Sequence, residues 1–221
     1  MTEAAAVDSA GAWNRLVDRR AGNRGDARRD ALLSALDALL REKSLEQVNV
    51  AEISNRAGVT RSAFYFYFES KAIAVMALMQ DLYDAAAHAN ELLVGAEGEA
   101  EERVRTAITG LFDSVDSSPH TYRALLEARA SSPAVRQMWD AGRADFAGVI
   151  AGMIASERDA GRADDGPAPQ ALASVLLNLN DNALERHSLG SGPPRGEHIE
   201  TLTFLWLRGV YGATAPRKKT R

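Results

Sequence analysis

The polar and aromatic side chains best spaced for contact chemistry fall in two places. Residues 60–71 read Thr60-Arg61-Ser62-Ala63, then five rings in succession, Phe64-Tyr65-Phe66-Tyr67-Phe68, then Glu69-Ser70-Lys71. In "ASVLLNLNDNAL", Asn178 and Asn180 interrupt an apolar helical pattern, where an unpaired amide is unfavourable. Covalent chemistry has fewer parts. The chain has no cysteine, hence no thiol nucleophile, disulfide framework or Cys-based metal site. His88, His120, His187 and His198 are scattered, and none forms Glu-x-x-His or His-Glu-x-x-His, so a zinc or di-iron bundle lacks ligands. Asp84 and His88 stand four apart, the spacing of an exposed ion pair on a helix. A Gly-rich phosphate loop and a nucleophile elbow are both missing. An all-α enzyme is therefore the remote alternative: the residues point to binding, with no catalytic residue, metal or cofactor expected.

Charge is distributed unevenly. The formal net charge is −4, yet residues 1–73 hold 11 cations against 10 acids, while 74–216 hold 11 against 20. The tail "PRKKTR" adds four cations, and "RRAGNRGDARR" at 19–29 sets five Arg against one Asp. A near-neutral front with basic clusters and an acidic body suggest two tasks in one chain. The Arg-rich run suits a solvated linker or an arm approaching phosphate. The start "MTEAAAVDSAGAW" lacks the pattern of a signal peptide, and no apolar stretch approaches the ~20 residues of a membrane span. A soluble, cytoplasmic protein that does not enter membranes is expected.

The elements that must position these residues read as helices throughout. Leu32, Leu33, Leu36, Leu39 and Leu40 make one apolar face of a helix from Asp26 to about Lys43. Asn49 with Glu52 three residues on is a capping box, Gly58 a left-handed stop, and Thr60 a second N-cap. Helix, tight turn and capped helix compose a helix-turn-helix. Five adjacent rings have the local look of a strand. On a helix opening at Thr60, however, Phe64 and Phe68 meet the leucine face while Tyr65 and Phe66 project elsewhere, and Tyr67 offers an amphipathic ring. Ser70 caps a long helix over 71–93, and further helices are expected near 99–117, 119–130, 132–160, 168–189 and 197–212. The fold class is all-α, with about nine helices.

The stretch "VAEISNRAGVTRSAFYFYFESKAIAV" resembles the DNA-binding segment of the tetracycline-repressor (TetR) family. The remainder is similar to a mycobacterial subgroup of that family, repressors of an ethionamide-activating monooxygenase, through the Trp139 helix running into "SERDAG", "LNLNDNAL" and "LWLRGVYG". The resemblance implies a homodimer on a double-stranded, pseudo-palindromic operator, released by a small lipophilic effector, with half-site centres about 34–36 Å apart or a multiple of it. It divides the chain into a flexible basic arm (1–25), a helix-turn-helix domain (26–73), an effector-binding and dimerisation domain (74–214) and a basic tail (215–221). Dimerisation would use the helices near 168–189 and 197–212, and helix 71–93 would carry the effector signal as a rod. A constitutive DNA-binding dimer without effector is the nearer alternative.

Position by position, the resemblance assigns Thr60 to phosphate and Arg61 to a bidentate guanine contact. Small Ser62 and Ala63 would let the helix sit deep in the major groove. Tyr65, Phe66 and Tyr67 would meet the sugar-phosphate backbone, and Lys71 a phosphate. On the effector side, Trp139, Phe146 and Ile150 share one helical face, and Trp206 lies in the last helix. Asn180 matches the subgroup's ligand-facing amide, and Leu111 with Phe112 its pocket wall. With no Arg or Lys apparent on these apolar faces, a lipophilic amide, ketone or ester fits better than an anion.

Overall fold

The computed structural model describes residues 27–95 and 98–212. The proposed arm of 1–25 and tail of 215–221 lie outside them, as does most of the Arg-rich run. Ten helices are described and no strand accompanies them. The leucine face forms as its period requires. In α1 (Ala27–Glu42), Leu32, Leu36, Leu39 and Leu40 are buried. Arg28 and Arg29 belong to its first turn, and the Arg29 guanidinium lies 5.7 Å from the Phe68 ring centre.

The capping box exists in both directions. At the start of α2 (Val50–Arg56), the Glu52 amide donates to Asn49 Oδ1 at 3.0 Å and the Asn49 amide to Glu52 Oε2 at 3.1 Å. Gly58, at φ +67°, turns the chain where a Cβ would be strained. Thr60 then caps α3 (Arg61–Tyr67), and Ser70 caps α4 (Lys71–Leu78).

The expected rod of 71–93 is interrupted. Met79 leaves the helical path with its N–H on the Met76 carbonyl, and α5 (Gln80–Val94) begins anew. Neither Gly nor Pro marks the spot, so nothing local announced it. The expected Asp84–His88 pair also resolves differently. Asp84 accepts from Gln80 at 2.7 Å, and His88 Nδ1 lies 3.4 Å from Glu91. The remaining helices are α6 (Ala100–Ser117), α7 (Pro119–Ser131), α8 (Pro133–Asp159), α9 (Pro169–Ser188) and α10 (Arg195–Tyr211). Pro opens α7 and α9 at a position where its missing N–H costs nothing.

Two compact units result: one runs to Asp84 and includes Val115–Gly142, the other joins Ala85–Ser114 to the chain from Arg143 onward. In the first, α4 packs on α7, and α1 touches α2, α4 and α7. Asp37 of α1 takes a 2.7 Å contact from His120 Nε2 and a 3.2 Å hydrogen bond from Thr121 Oγ1, both on α7. In the second, α9 packs along α10.

Candidate nucleic-acid interface and ligand cavity

The five rings of α3 and its end divide as helical geometry demands. Phe64 and Phe68 are fully buried with centroids 5.6 Å apart, whereas Tyr65 and Phe66 are 42% and 45% exposed. Burying two such rings supplies the apolar area that fixes a seven-residue helix too short to persist alone. Thr60 Oγ1 accepts from the Ala63 amide at 3.2 Å, which leaves its hydroxyl proton to donate outward. Arg61 is exposed and tied to the ring one turn on. Its Nη2 donates to Tyr65 Oη at 3.3 Å, and its Cζ lies 5.6 Å from that ring's centre. Ser62 is exposed beside it and Ala63 half-buried.

Two residues expected on this surface stand elsewhere. Tyr67 is buried, its ring edge-on to Phe66 at 5.0 Å, because position 67 follows Phe64 by three and shares its inward face. Lys71 is not aimed outward either. Its Nζ donates to the carbonyls of Leu45, Glu46 and Val48 at 2.7, 3.0 and 2.6 Å.

The second unit contains a small, narrow cavity of about 20 Å³, partly open to solvent. Leu111, Phe146, Asn180 and Trp206 line it, together with residues of α5 and α6. Asn180 is buried and its Oδ1 accepts the Trp206 indole N–H at 3.0 Å, so the helix-interior amide is half satisfied within the chain. Three expected wall residues do not reach the cavity. Trp139 belongs to the first unit, beneath the Arg129 guanidinium at 5.3 Å. Its helical stripe with Phe146 is real, but α8 spans 27 residues and its two ends serve different cores. Phe112 turns the other way, edge-on to His187 at 5.2 Å and stacked on His198 at 5.9 Å. Ile150 is buried outside the lining. Asn178 is exposed on α9.

Among the lining residues that sequence reading missed, two are polar or charged. Asn90 is 7% exposed and lines the cavity. Its signal, a polar residue inside "AAAHANELL", was of the same kind as Asn180, but the segment was read as a connecting rod. Arg143 also lines the cavity, which corrects the expectation of walls free of cations. Its guanidinium is engaged by Asp181 through two N–H groups, one at 2.7 Å, and lies 5.9 Å from the Phe146 ring centre. The pair leaves the wall electrically balanced.

A capped recognition helix bearing an exposed Arg and two exposed rings, on a chain that also holds a helical cavity, describes a DNA-binding regulator. Residues 32–73 match the family described as bacterial regulatory proteins, tetR family, and residues 104–212 match the C-terminal domain of the transcriptional regulator EthR. The chain is 30% identical over 198 residues to the HTH-type transcriptional regulator EthR of Mycobacterium tuberculosis, covering 88% of this chain and 92% of that protein. It is 31% identical over 199 residues to EthR of Mycolicibacterium smegmatis, covering 88% and 91%. Among solved structures, FadR from Bacillus subtilis in complex with stearoyl-CoA shares the fold at a TM-score of 0.62 and 15% identity, covering 82% of this chain and 97% of that one. The chain belongs to the TetR family of transcriptional regulators. Its relatives are regulators rather than enzymes, and its C-terminal half is of the EthR type. No helix among the described residues is long and apolar enough to cross a membrane.

Proposed function

We propose that the chain is a cytoplasmic, homodimeric repressor released from its operator by a small lipophilic effector. Residues 26–73 form the DNA-binding module and 74–214 the effector-binding and dimerisation module. On the DNA side, Thr60 serves phosphate, Arg61 a guanine, Ser62 and Ala63 allow close approach, and Tyr65 with Phe66 flank the backbone. Exposed Val175 and Leu179 on α9 and Phe204 and Leu205 on α10 form the apolar stripe that a second copy would cover.

The observation that carries the effector reading is the lining itself: Asn90 and Asn180 bring two amides to walls that are otherwise mostly apolar, the mix of groups that holds a small lipophilic ligand. A ketone, ester or amide with apolar flanks supplies an acceptor for Asn90 and apolar area for Leu111, Phe146 and Trp206. The FadR structure, with stearoyl-CoA bound, is an instance of the same fold holding a ligand with a long apolar chain. The test pairs two measurements on one compound series. A true effector raises the midpoint of thermal unfolding and also weakens binding to a duplex selected by the protein from a random library. Compounds that stabilise without weakening DNA binding, across the whole series, return the reading to a constitutive DNA-binding dimer.

A further inference from the structure

Lys71 is the first residue of α4, and its ammonium is fully occupied by the chain itself. An ammonium has three donors and no acceptor. Here all three are used, on the carbonyls of Leu45, Glu46 and Val48, in the turn between α1 and α2. The Leu45 carbonyl also accepts the Val48 amide at 3.2 Å, so the ammonium clasps a turn that its own backbone closes. A phosphate contact would require this cage to open. The same turn is fastened at two further points. Lys43 Nζ donates to both oxygens of Glu52 at 2.8 Å, and the Glu46 amide donates to Glu127 of α7 at 3.2 Å.

The turn sets where α2 begins, and α3 starts only five residues after α2 ends. A fastener on that turn therefore fixes how Thr60 and Arg61 are presented. We propose that Lys71 is a positioning residue for DNA recognition, acting through the turn between α1 and α2 and not through a phosphate of the operator. The inference rests on the DNA-binding reading of the chain.

The two roles predict different binding behaviour. Loss of a phosphate contact weakens all duplexes alike and lowers the salt slope by about 0.9 per contact, or about 1.8 for two copies in a dimer. Loss of a positioning contact removes discrimination and leaves that slope in place. Arg keeps the charge, but its planar fork cannot converge on three carbonyls from one side as a tetrahedral ammonium does. The experiment uses the full chain, a duplex enriched from a random library by the wild type, and a mixed-sequence duplex. Lys71→Gln and Lys71→Arg are each expected to lose about tenfold or more on the enriched duplex, with the mixed-sequence duplex and the salt slope unchanged. Equal weakening of both duplexes with a shallower slope, rescued by Arg, would overturn the proposal. So would a lowered unfolding midpoint with both affinities unchanged.

A second measurement needs no variant. Acetylation of wild-type lysines, located by mass spectrometry, should find Lys71 unreactive in free folded protein and reactive in urea. A residue reactive when free and shielded only by DNA would contradict the cage. If the wild type enriches no duplex, the DNA-binding reading fails, and the acetylation result still decides whether the cage exists.

Discussion

The surface proposed for DNA and the cavity proposed for an effector are built in opposite ways. On α3 and its flanks, the cap, the buried rings and the Arg61–Tyr65 stack join residues three or four apart. The cavity draws its walls from α5, α6, α8, α9 and α10, and its one internal amide bond links residues 26 apart in sequence. The first is fixed by the period of a single helix, the second by how distant helices meet. Local periodicity therefore dictates which side chains face outward on α3, while no local rule dictates which face the hollow.

The sharpest way to break this contrast is Phe64→Ala. Removing a fully buried ring should destabilise the first unit by about 3–5 kcal/mol. Hydrogen exchange should then quicken across α1 to α4 and leave α9 and α10 protected; uniform loss of protection would mean the two regions are not independent. Next comes Arg61→Ala, expected to weaken operator binding by about 1–3 kcal/mol per half-site with the unfolding midpoint unchanged. Tyr65→Phe, which keeps the ring and drops the hydroxyl, should cost only a fraction of that. On the cavity side, Trp206→Phe strands the buried Asn180 carbonyl and should destabilise by about 1–3 kcal/mol. A neutral result would show that Asn180 already has another partner.

The smallest effect is an ordering in pH. Burial, then the nearby charges of His187 and Arg186, hold His198 below its ordinary value of 6.5. The unfolded chain takes up that proton first, so the stability it contributes is present above about 6.5 and lost as pH falls below it. Burial alone would raise Asp37, but hydrogen bonds from His120 and Arg41, with their charges, hold its carboxyl below the ordinary 3.8. That contribution is present above about 3.8 and lost only as pH falls further. Acid titration followed by fluorescence, in variants retaining Trp206 or Trp139 alone, should show the Trp206 signal moving at the higher pH. His198→Phe should flatten the Trp206 response near neutrality.

Much of the first region was legible because its signals are close together. Asn49, Glu52, Gly58 and Thr60 each name a helix end, and Phe64 with Phe68 name the inward face. Tyr67 was assigned to the sugar-phosphate backbone by its match to the family pattern, whereas its position, three residues from a buried ring, turns it inward. Lys71 is held by carbonyls that lie more than twenty residues earlier, a contact that no local pattern announces. The break at Met79 carries no Gly or Pro, and tertiary packing overrode a continuous helical pattern there. In the second region four of the seven expected residues line the cavity. Asn180, Phe146, Leu111 and Trp206 reach the cavity, whereas Phe112 turns to His187 and His198, Ile150 is buried one turn beyond Phe146 outside the lining, and Trp139 serves another core. Periodicity gives a stripe; it does not say where along a 27-residue helix that stripe changes its neighbour.

The salt bridge in the cavity wall has a consequence for what the site refuses. A fatty acid or similar carboxylate entering beside Phe146 finds the Arg143 guanidinium already chelated by Asp181. It would have to displace one anion to seat another, with no gain in ion pairing and a repelled carboxylate left close by. Uncharged guests face no such exchange, so under the proposed effector reading the wall would sort visitors by charge before shape is consulted.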